Sequence, residues 1–505
     1  MFFKKYLNLF DILTLSIGIL FLFINALTIT WGNLPWLDEV MLIDSPINFV
    51  LDGEWYTTSW LSRGSENPIS TYPPLYQILL VPWVYAFGVS PLAVRSLNLV
   101  LTLVISFLLV RYLKKNNYLT KVWVLISFLL VFWSSYTFSW IYRSGRVDIT
   151  NLLAVLYFVY SYFRFSILSK GKLHIFFSAF LVAISGFQAI PFLVLFLIWA
   201  YIFDNKSKII KLKILKLSII SWSTALVGLS LFFFMNGGLF SFMVSLVSYS
   251  SSFKKLAVIL LPYVGDYLQL DVDAWISRAM DDGPGLTLIQ KLVEAFIYHK
   301  TYLILTIFNL LGAITLQSKM GFEKIKTIWI VFGFSIFVPL FMILAGRFQI
   351  YYSWMAFIPS LITSVFIIEK THTIWVKLFY MAVTASVLVL GLPNHLINAN
   401  KDQYKNLTVF VNNLEVDWKK EIVLPTYRCY YLVRNKTNQL YFIHNFPIEK
   451  IPSDPSLIII DNDDKHSVEE LIDYKNTNVF QDGRFELFKS LENPEINVYK
   501  KKSGD

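Results

Sequence analysis

Long apolar segments are the feature of this 505-residue chain that most restricts its fold. A helix needs about 20 predominantly apolar residues to cross a bilayer. Segments of that kind recur at residues 8–30, 92–112, 119–139, 149–168, 173–187, 188–203, 214–235, 296–316, 327–345, 350–368 and 374–393. Together with 56% hydrophobic and only 15% charged residues, they predict a polytopic α-helical membrane protein with about 11 transmembrane helices.

The segment 173–203 can be interpreted in two ways. Gly186, Gln188 and Pro191 interrupt one long apolar run. Such an interruption ends or kinks a helix, so the segment forms either two short helices or one kinked helix. The choice decides the parity of the later spans, and therefore their orientation.

Basic residues fall in loops that share one side of the membrane if there are eleven spans. These loops carry Arg111, Lys114, Lys115 and Lys121; Arg164, Lys170 and Lys172; Lys206, Lys208, Lys211, Lys213 and Lys216; Lys319, Lys324 and Lys326; and Lys370 and Lys377. Lys4 and Lys5 precede a first span that is too long for the apolar core of a signal peptide, so a retained helix is predicted. Because cytoplasmic loops are enriched in Lys and Arg, we expect a cytoplasmic N-terminus in a plasma membrane, taken to be the bacterial inner membrane.

Three segments are predicted on the non-cytoplasmic face. The loop 31–91 carries six acidic residues against one arginine, and the loop 236–295 has amphipathic stretches typical of interfacial helices. The tail 394–505 alternates short apolar strands at 421–424, Leu457–Asp461, 485–488 and 496–499 with a helical pattern at Ser467–Ile472. We therefore predict a transmembrane domain over 1–393 and a small soluble α/β domain over 394–505.

Asp38 and Glu39 are the first candidates for chemistry. They follow the first span directly, and carboxylates this close to a bilayer are costly unless they have a function. Asp148, which opens the fourth span, is a second candidate. Each acid also has a purely structural interpretation: Asp38 and Asp148 could cap helices, and Glu39 could complement a helix dipole.

Arginines at the predicted outer ends of spans are candidates for binding a phosphate. Arg146, Arg143 and Arg347 lie at the depth of a lipid phosphate, and a guanidinium group can grip phosphate oxygens through two hydrogen bonds. Alternatively, they reach the headgroups or pair with nearby acids. The further substrate-binding candidates are Tyr72, Arg63 and Tyr351; Tyr72 could equally be an interfacial aromatic residue.

Several other classes of site are disfavoured. The single cysteine, Cys429, excludes an intramolecular disulfide and a cysteine-based metal cluster. The six histidines are scattered without ligand spacing. We predict no cofactor and no obligatory metal, although Asp38, Glu39, Asp148 and a histidine could still converge on a divalent ion. The lysines lie in short loops, which argues against a nucleic-acid partner.

The order of these features resembles the GT-C glycosyltransferases. The first span is followed by the acidic pair, then by Pro73-Pro74-Leu75-Tyr76 opening a helix that ends at Gly88, and then by Arg95 at the start of the second span. Within that superfamily the chain is similar to the branch of the aminoarabinose lipid A transferase and the protein O-mannosyltransferases. The resemblance covers residues 1–205; the later spans match in pattern only.

The resemblance implies a membrane enzyme that moves a sugar from a polyprenyl-phosphate carrier to a lipid, glycan or protein acceptor on the non-cytoplasmic face. Asp38 would match the catalytic aspartate of the family, with Glu39 beside it and Asp148 as the second acid. The aminoarabinose transferases have a lysine before the double proline, where this chain has Tyr72. Aminoarabinose is therefore not implied, and the transferred group is expected to be a hexose or a pentose.

The chemistry of such a transfer suits these residue types. A sugar phosphodiester has a good leaving group, so the reaction needs a base for the acceptor hydroxyl and cations for the departing phosphate. Asp38 as general base implies direct displacement with inversion at the anomeric carbon, unlike a glycosidase with paired carboxyl groups. Two alternatives are a flippase or transporter for a polyprenyl-linked sugar and a non-catalytic lipid-binding subunit.

Overall fold

The computed structural model of the protein describes ten stretches of the chain. These are residues 8–31, 34–59, 72–164, 169–239, 242, 299–344, 352–396, 402–442, 455–462 and 484–502. The candidate residues Arg63, Arg347 and Tyr351, nearly all of the predicted outer loop 236–295, and the predicted helix Ser467–Ile472 lie outside the described residues.

Apolar helices dominate the described part of the chain. In chain order they are α1 (Leu9–Leu27), α2 (Leu37–Asp52), α3 (Leu75–Phe87), α4 (Pro91–Lys115), α5 (Val122–Ser134), α6 (Tyr136–Tyr142), α7 (Asp148–Arg164), α8 (Ser169–Ser185), α9 (Ala189–Phe203), α10 (Lys208–Met235), α11 (Lys300–Met320), α12 (Phe322–Leu344), α13 (Trp354–Lys370), α14 (Ile374–Leu396), α15 (Gln403–Asn412) and α16 (Tyr430–Arg434). Each predicted span overlaps at least one of these helices.

Within the described ranges, six helices are long and apolar enough to cross a membrane: α1, α4, α10, α11, α12 and α14. A seventh span is obtained if α5 and α6, which meet at a bend of 65°, are counted as one. The mostly helical architecture and the integral membrane character are therefore confirmed. The count of eleven spans stays a prediction, because helices such as α8 and α9 are shorter.

The interrupted segment 173–203 forms two helices, which confirms the first of its two interpretations. α8 ends at Ser185 and α9 begins at Ala189. A Cβ atom on the intervening Gly186 would come within 2.6 Å of the side-chain oxygen of Asn151 on α7. Glycine thus lets this turn approach α7 closely.

Loops that carry the predicted cytoplasmic charges meet at one end of the helices. Glu369, near the end of α13, accepts hydrogen bonds from the backbone and hydroxyl of Thr120 at 2.9 and 2.6 Å and pairs with Lys121 at 3.7 Å. Lys370 donates to the carbonyl of Lys324 at the start of α12 at 3.0 Å. The eleven-span topology requires these loops to share a side.

The C-terminal region, defined here as the described residues from 402 onwards, contains a four-stranded sheet. Its strands are β1 (Val423–Leu424), β2 (Leu457–Asp461), β3 (Phe485–Glu492) and β4 (Glu495–Lys501), in the spatial order β1-β2-β4-β3. β1 pairs with β2 in parallel, and the other pairs are antiparallel, with Ile459 opposite Val498. All four predicted strands overlap observed ones, and all five residues of β2 are buried.

Two large hydrophobic cores organise the described part of the chain. The larger core joins the helices of the membrane part. The smaller core joins α2, α3 and the beginning of α4 to the C-terminal region, with Val40, Ile43 and Tyr76 packed in the same cluster as Val411 and Tyr430. The short helix α16 therefore lies against α2, the helix that carries the acidic pair.

Candidate active site

The acidic pair lies in the first turn of α2. The helix is preceded by Trp36 at its N-cap position, and no side-chain hydrogen bond caps it. Asp38 is therefore not the N-cap residue, so that structural alternative is wrong. A carboxylate in the first turn is favoured by the helix dipole. The Asp38 side chain remains 35% exposed, which leaves it accessible to a substrate.

Arg146 bridges Asp38 and Asp148. Its Nη1 atom donates to Asp38 Oδ2 at 2.5 Å, and its Nε atom donates to Asp148 Oδ2 at 2.8 Å. The guanidinium carbon lies 5.2 Å from the ring centroid of Trp36, within cation–π range. One buried cation thus holds together two carboxylates that are 110 positions apart in the sequence.

A chain of hydrogen bonds extends this group beyond Asp148. Asp148 Oδ1 accepts from Gln188 Nε2 at 3.3 Å, and Gln188 Oε1 accepts from the hydroxyl of Tyr72. Burial, reinforced by neighbouring Tyr352 and Asp148, raises the pKa of Tyr72 well above its usual value. Tyr72 therefore remains a neutral hydrogen-bond donor. At the other end of these contacts, the Asp148 side chain is fully buried.

Glu39 occupies a different environment from Asp38. Its side chain is fully buried, and its two oxygens accept from Nε and Nη2 of Arg95 at 2.8 and 2.7 Å. The hydroxyl of Tyr431, on α16, donates to Glu39 Oε1 at 2.9 Å. Arg95 Nη1 in turn donates to the carbonyl of Ile29 at 2.9 Å. This two-point ion pair joins α2, α4, the end of the first span and the C-terminal region.

Local sequence explains how the segment between α6 and α7 reaches α2. A Cβ atom on Gly145 would lie 2.9 Å from Val94 and 3.0 Å from Glu39, so only glycine permits this approach. Asn98 on α4 donates from Nδ2 to the carbonyls of Ser144 and Arg146, both at 2.7 Å. The backbone on both sides of the glycine is therefore fixed, and Arg146 is aimed between the two acids.

Arg143 is turned away from this group. Its guanidinium donates to the side-chain oxygens of Asn25 and Thr28 at 2.7 and 2.9 Å and to the backbone carbonyl of Thr28. The side chain is only 1% exposed. The structure thus gives Arg143 internal partners at the end of α1, whereas Arg146 is placed beside Asp38.

The structure also adds residues that sequence patterns did not single out as site residues. Arg95, Gln188, Tyr431 and Trp36 all contact the candidate side chains. Arg95 had a signal, because an arginine at the start of an apolar span needs a partner. Gln188 was noted only as one of the residues that interrupt the apolar run 173–203. Tyr431 lies in a region where the sequence shows no motif.

The described residues around Asp38 and Asp148 can be compared with the ligand set of a metal ion. In the portion of the chain that the structure describes, no group of three or more His, Cys, Asp or Glu side chains is arranged to hold a metal ion. The place between Asp38 and Asp148 is taken by the guanidinium of Arg146. A side-chain cation thus balances these carboxylates.

Solved structures share this fold. The chain is similar to the oligosaccharyltransferase of Archaeoglobus fulgidus in complex with Zn and sulfate, with 11% identity, 96% of this chain and 72% of that chain covered, and a TM-score of 0.55. The apo form of that protein aligns with 12% identity, 89% and 69% coverage, and a TM-score of 0.53. ArnT from Cupriavidus metallidurans bound to undecaprenyl phosphate aligns over 98% of both chains, with 11% identity and a TM-score of 0.46.

No family model matches the chain, and no curated protein matches it. At identities this low, the structural similarity is evidence for the fold alone. The chain shares its fold with the archaeal oligosaccharyltransferase, so the resemblance to GT-C glycosyltransferases predicted from the sequence is confirmed at the level of the fold.

Proposed function

We propose that the protein is a membrane glycosyltransferase that moves a hexosyl or pentosyl group from a polyprenyl-phosphate carrier to an acceptor hydroxyl. The observation that carries the proposal is the Asp38–Arg146–Asp148 bridge, in which the outer carboxylate is partly exposed and the inner one is buried. An accessible carboxylate beside a phosphate-binding type of cation is what the transfer requires. The GT-C fold supports the same conclusion.

Asp38 is proposed as the general base. Its carboxylate takes the proton of the acceptor hydroxyl as that oxygen attacks the anomeric carbon, and the carrier phosphate leaves with the bonding electrons. A single displacement of this kind inverts the anomeric carbon. A good leaving group means that a carboxylate is a sufficient base for this step.

The remaining candidates take supporting roles in this proposal. Asp148 fixes the orientation of Arg146, and Arg146 offers its guanidinium to the departing phosphate. Glu39 is assigned a positioning role, because its oxygens are committed to Arg95 and Tyr431. Phosphate or sugar contacts from Arg63, Arg347, Tyr351 and Tyr72 stay predictions, as does the candidacy of Arg143.

The site is proposed to face the non-cytoplasmic side of a bacterial inner membrane. With eleven spans and a cytoplasmic N-terminus, α2 and the C-terminal region lie opposite the lysine-rich loops. The acceptor is a lipid, glycan or protein that reaches the site from that side.

Asp38→Asn tests the proposal. The amide keeps the size of the side chain but cannot accept a proton, so transfer should fall by about 100-fold or more, while binding of polyprenyl phosphate is retained. The measurement is sugar transfer from a panel of synthetic polyprenyl-phosphate sugars in proteoliposomes. Glu415→Gln, on an exposed loop residue of the C-terminal region, is the control and should keep full activity.

A flippase or a lipid-binding subunit would give a different result. A flippase would only translocate a fluorescent carrier, and a lipid-binding subunit would only bind the carrier. In both cases the wild-type protein would transfer no sugar to an acceptor. Full transfer by the Asp38→Asn variant would refute the assignment of the base.

A further inference from the structure

A cavity lies next to the candidate active site. Its volume is about 270 Å³, and it lies where α4 and α6 of the membrane part face the C-terminal region. The side chains that matter for its chemistry are Trp36, Arg95, Trp140, Ser144, Gln403 and Arg428. This volume is close to the lower limit of small-molecule sites, so the cavity suits one compact unit of a ligand.

Three of these wall residues connect the cavity to the proposed catalytic group. Trp36 precedes Asp38 by two positions, and its ring lies 5.2 Å from the guanidinium carbon of Arg146. Ser144 precedes Arg146 by two positions, and Arg95 holds Glu39. The indole of Trp36 therefore borders both the cavity and the guanidinium of the bridge.

The wall combines aromatic faces with groups that both donate and accept hydrogen bonds. The rings of Trp36 and Trp140 lie 4.8 Å apart at 56°, which makes an angled apolar surface. The amide of Gln403 can donate and accept, whereas the hydroxyl of Ser144, which donates to the carbonyl of Ile141 at 2.9 Å, can accept. A molecule with hydroxyl groups around a ring, whose CH faces are apolar, matches both properties.

The charges of the wall favour a neutral ligand over an anion. Arg95 is neutralised by fully buried Glu39 at 2.7 Å, and Arg428 is neutralised by Asp461 at 2.8 Å, whose side chain is 1% exposed. Each guanidinium thus brings its own buried carboxylate, so the wall has no net positive charge for a phosphate. The polar groups equally disfavour an acyl chain.

We propose that this cavity binds a neutral sugar ring of the acceptor, and that the acceptor of the transferase is therefore a glycan. The inference rests on the proposed function and names the acceptor class for it. The acceptor hydroxyl reaches Asp38 past Trp36. Its oxygen forms the new bond to the anomeric carbon, the bond from that carbon to the phosphate oxygen breaks, the proton passes to Asp38, and polyprenyl phosphate leaves.

Saturation-transfer NMR on the full chain in detergent tests the inference. The probes are methyl α-mannopyranoside, methyl β-glucopyranoside, glucose 6-phosphate and a short serine-containing peptide. The methyl glycosides are expected to receive saturation from the wild-type protein. In Gln403→Ala and in Trp140→Leu their binding should weaken by about 5- to 10-fold, since each change removes a hydrogen bond or a ring face.

Gln439→Ala is the matched control, because Gln439 lies in the C-terminal region but not in the cavity wall; it should bind like wild type. Unfolding curves establish that each variant is folded. Glycoside binding that is undetectable in the wild type, or equal in wild type and both cavity variants, overturns the inference. Preferred binding of the phosphate or the peptide also overturns it.

The failure of the inference and the failure of the proposed function have different signatures. If Asp38 is required for transfer but the cavity variants bind glycosides as tightly as the wild type, only the inference fails. If glycosides bind in the cavity but Asp38→Asn leaves transfer intact, only the catalytic proposal fails. Asp38→Asn itself should bind the glycosides as tightly as wild type, because Asp38 is not in the cavity wall.

Discussion

Asp38 and Glu39 are adjacent in the chain but are bound to different arginines. Consecutive residues of an α-helix point about 100° apart. Asp38 therefore meets Arg146 at the edge of the protein, whereas Glu39 meets Arg95 inside it. The same helical turn thus supplies one accessible carboxylate for chemistry and one enclosed carboxylate for structure.

This difference predicts that substitutions of the two acids change the free energy of unfolding by unequal amounts. Glu39→Gln leaves the guanidinium of Arg95 buried without its counter-charge, which should lower the free energy of unfolding by about 3–5 kcal/mol. Asp38→Asn, at a partly exposed position, serves as the neighbouring control and should change it by less than about 1 kcal/mol. Thermal unfolding of the two purified variants measures both. A larger loss for Asp38→Asn would contradict the assigned roles.

Arg146 is the residue on which the site geometry depends most. Arg146→Lys keeps the positive charge, but a single ammonium group lacks the planar fork that contacts Asp38 and Asp148 from two nitrogens. Sugar transfer should fall by about 100-fold. Arg164→Lys, at the opposite end of α7, makes the same exchange away from the site and should retain wild-type transfer. Equal activity of both variants would show that the bridge is dispensable.

At the scale of elements, the short helix α16 contacts polar residues along the length of α2. Asp44, Asn48 and Asp52 are spaced four residues apart, which keeps these three on the same side of the helix, and Glu39 lies five residues before Asp44. Tyr431 donates to Glu39 at 2.9 Å, and Tyr430 donates to Asp44 at 2.7 Å. The last contacts on this face come from Arg434. The C-terminal region is thus fastened directly to the helix of the proposed base.

Arg434→Ala should weaken the contact between α16 and α2. Arg434 is buried, donates to Asn48 at 2.7 Å and pairs with Asp52, so its loss leaves these partners unsatisfied. Backbone amides of α16 should exchange with deuterium about 10-fold or more faster, while α4 is unchanged. Lys420→Ala, whose side chain is 83% exposed, is the control and should leave exchange as in wild type. Unaltered exchange in Arg434→Ala would show that apolar contacts alone hold α16.

At the scale of the whole molecule, the basic loops and the acidic helix α2 lie at opposite ends of α4. Near the start of that helix Arg95 pairs with Glu39, and the helix ends with Lys114 and Lys115. A membrane around the helices therefore separates a basic end from an end that carries the proposed active site and the C-terminal region. The positive-inside rule predicts that the basic end faces the cytoplasm.

Cysteine labelling measures that orientation. Cys429 is the sole cysteine, and burial raises the pKa of its thiol, so a membrane-impermeant maleimide should leave the wild-type protein unlabelled. Lys420→Cys should be labelled in sealed right-side-out vesicles, and Asn116→Cys only after the vesicles are opened. The reverse pattern would invert the topology.

The sequence by itself determined the helical membrane class, the interruption around Gly186 and the four strands, and it marked Asp38 and Asp148 as candidates. These follow from the composition of contiguous segments, because burial in lipid and the pairing of strands impose periodic patterns on neighbouring residues. The GT-C order of motifs was readable for the same reason. The helix α15 and the docking of α16 had no comparable signal.

Only the tertiary structure decided which charges meet. Arg146, and not Arg143, lies beside Asp38; Gln188 completes the contacts of Asp148; and Tyr431 reaches Glu39 across 392 positions. Sequence patterns report which residues are apolar or charged, but a salt bridge or hydrogen bond between distant residues is set by helix packing to within about an ångström. That packing is the physical reason why one acid of the pair is left accessible while its neighbour is enclosed.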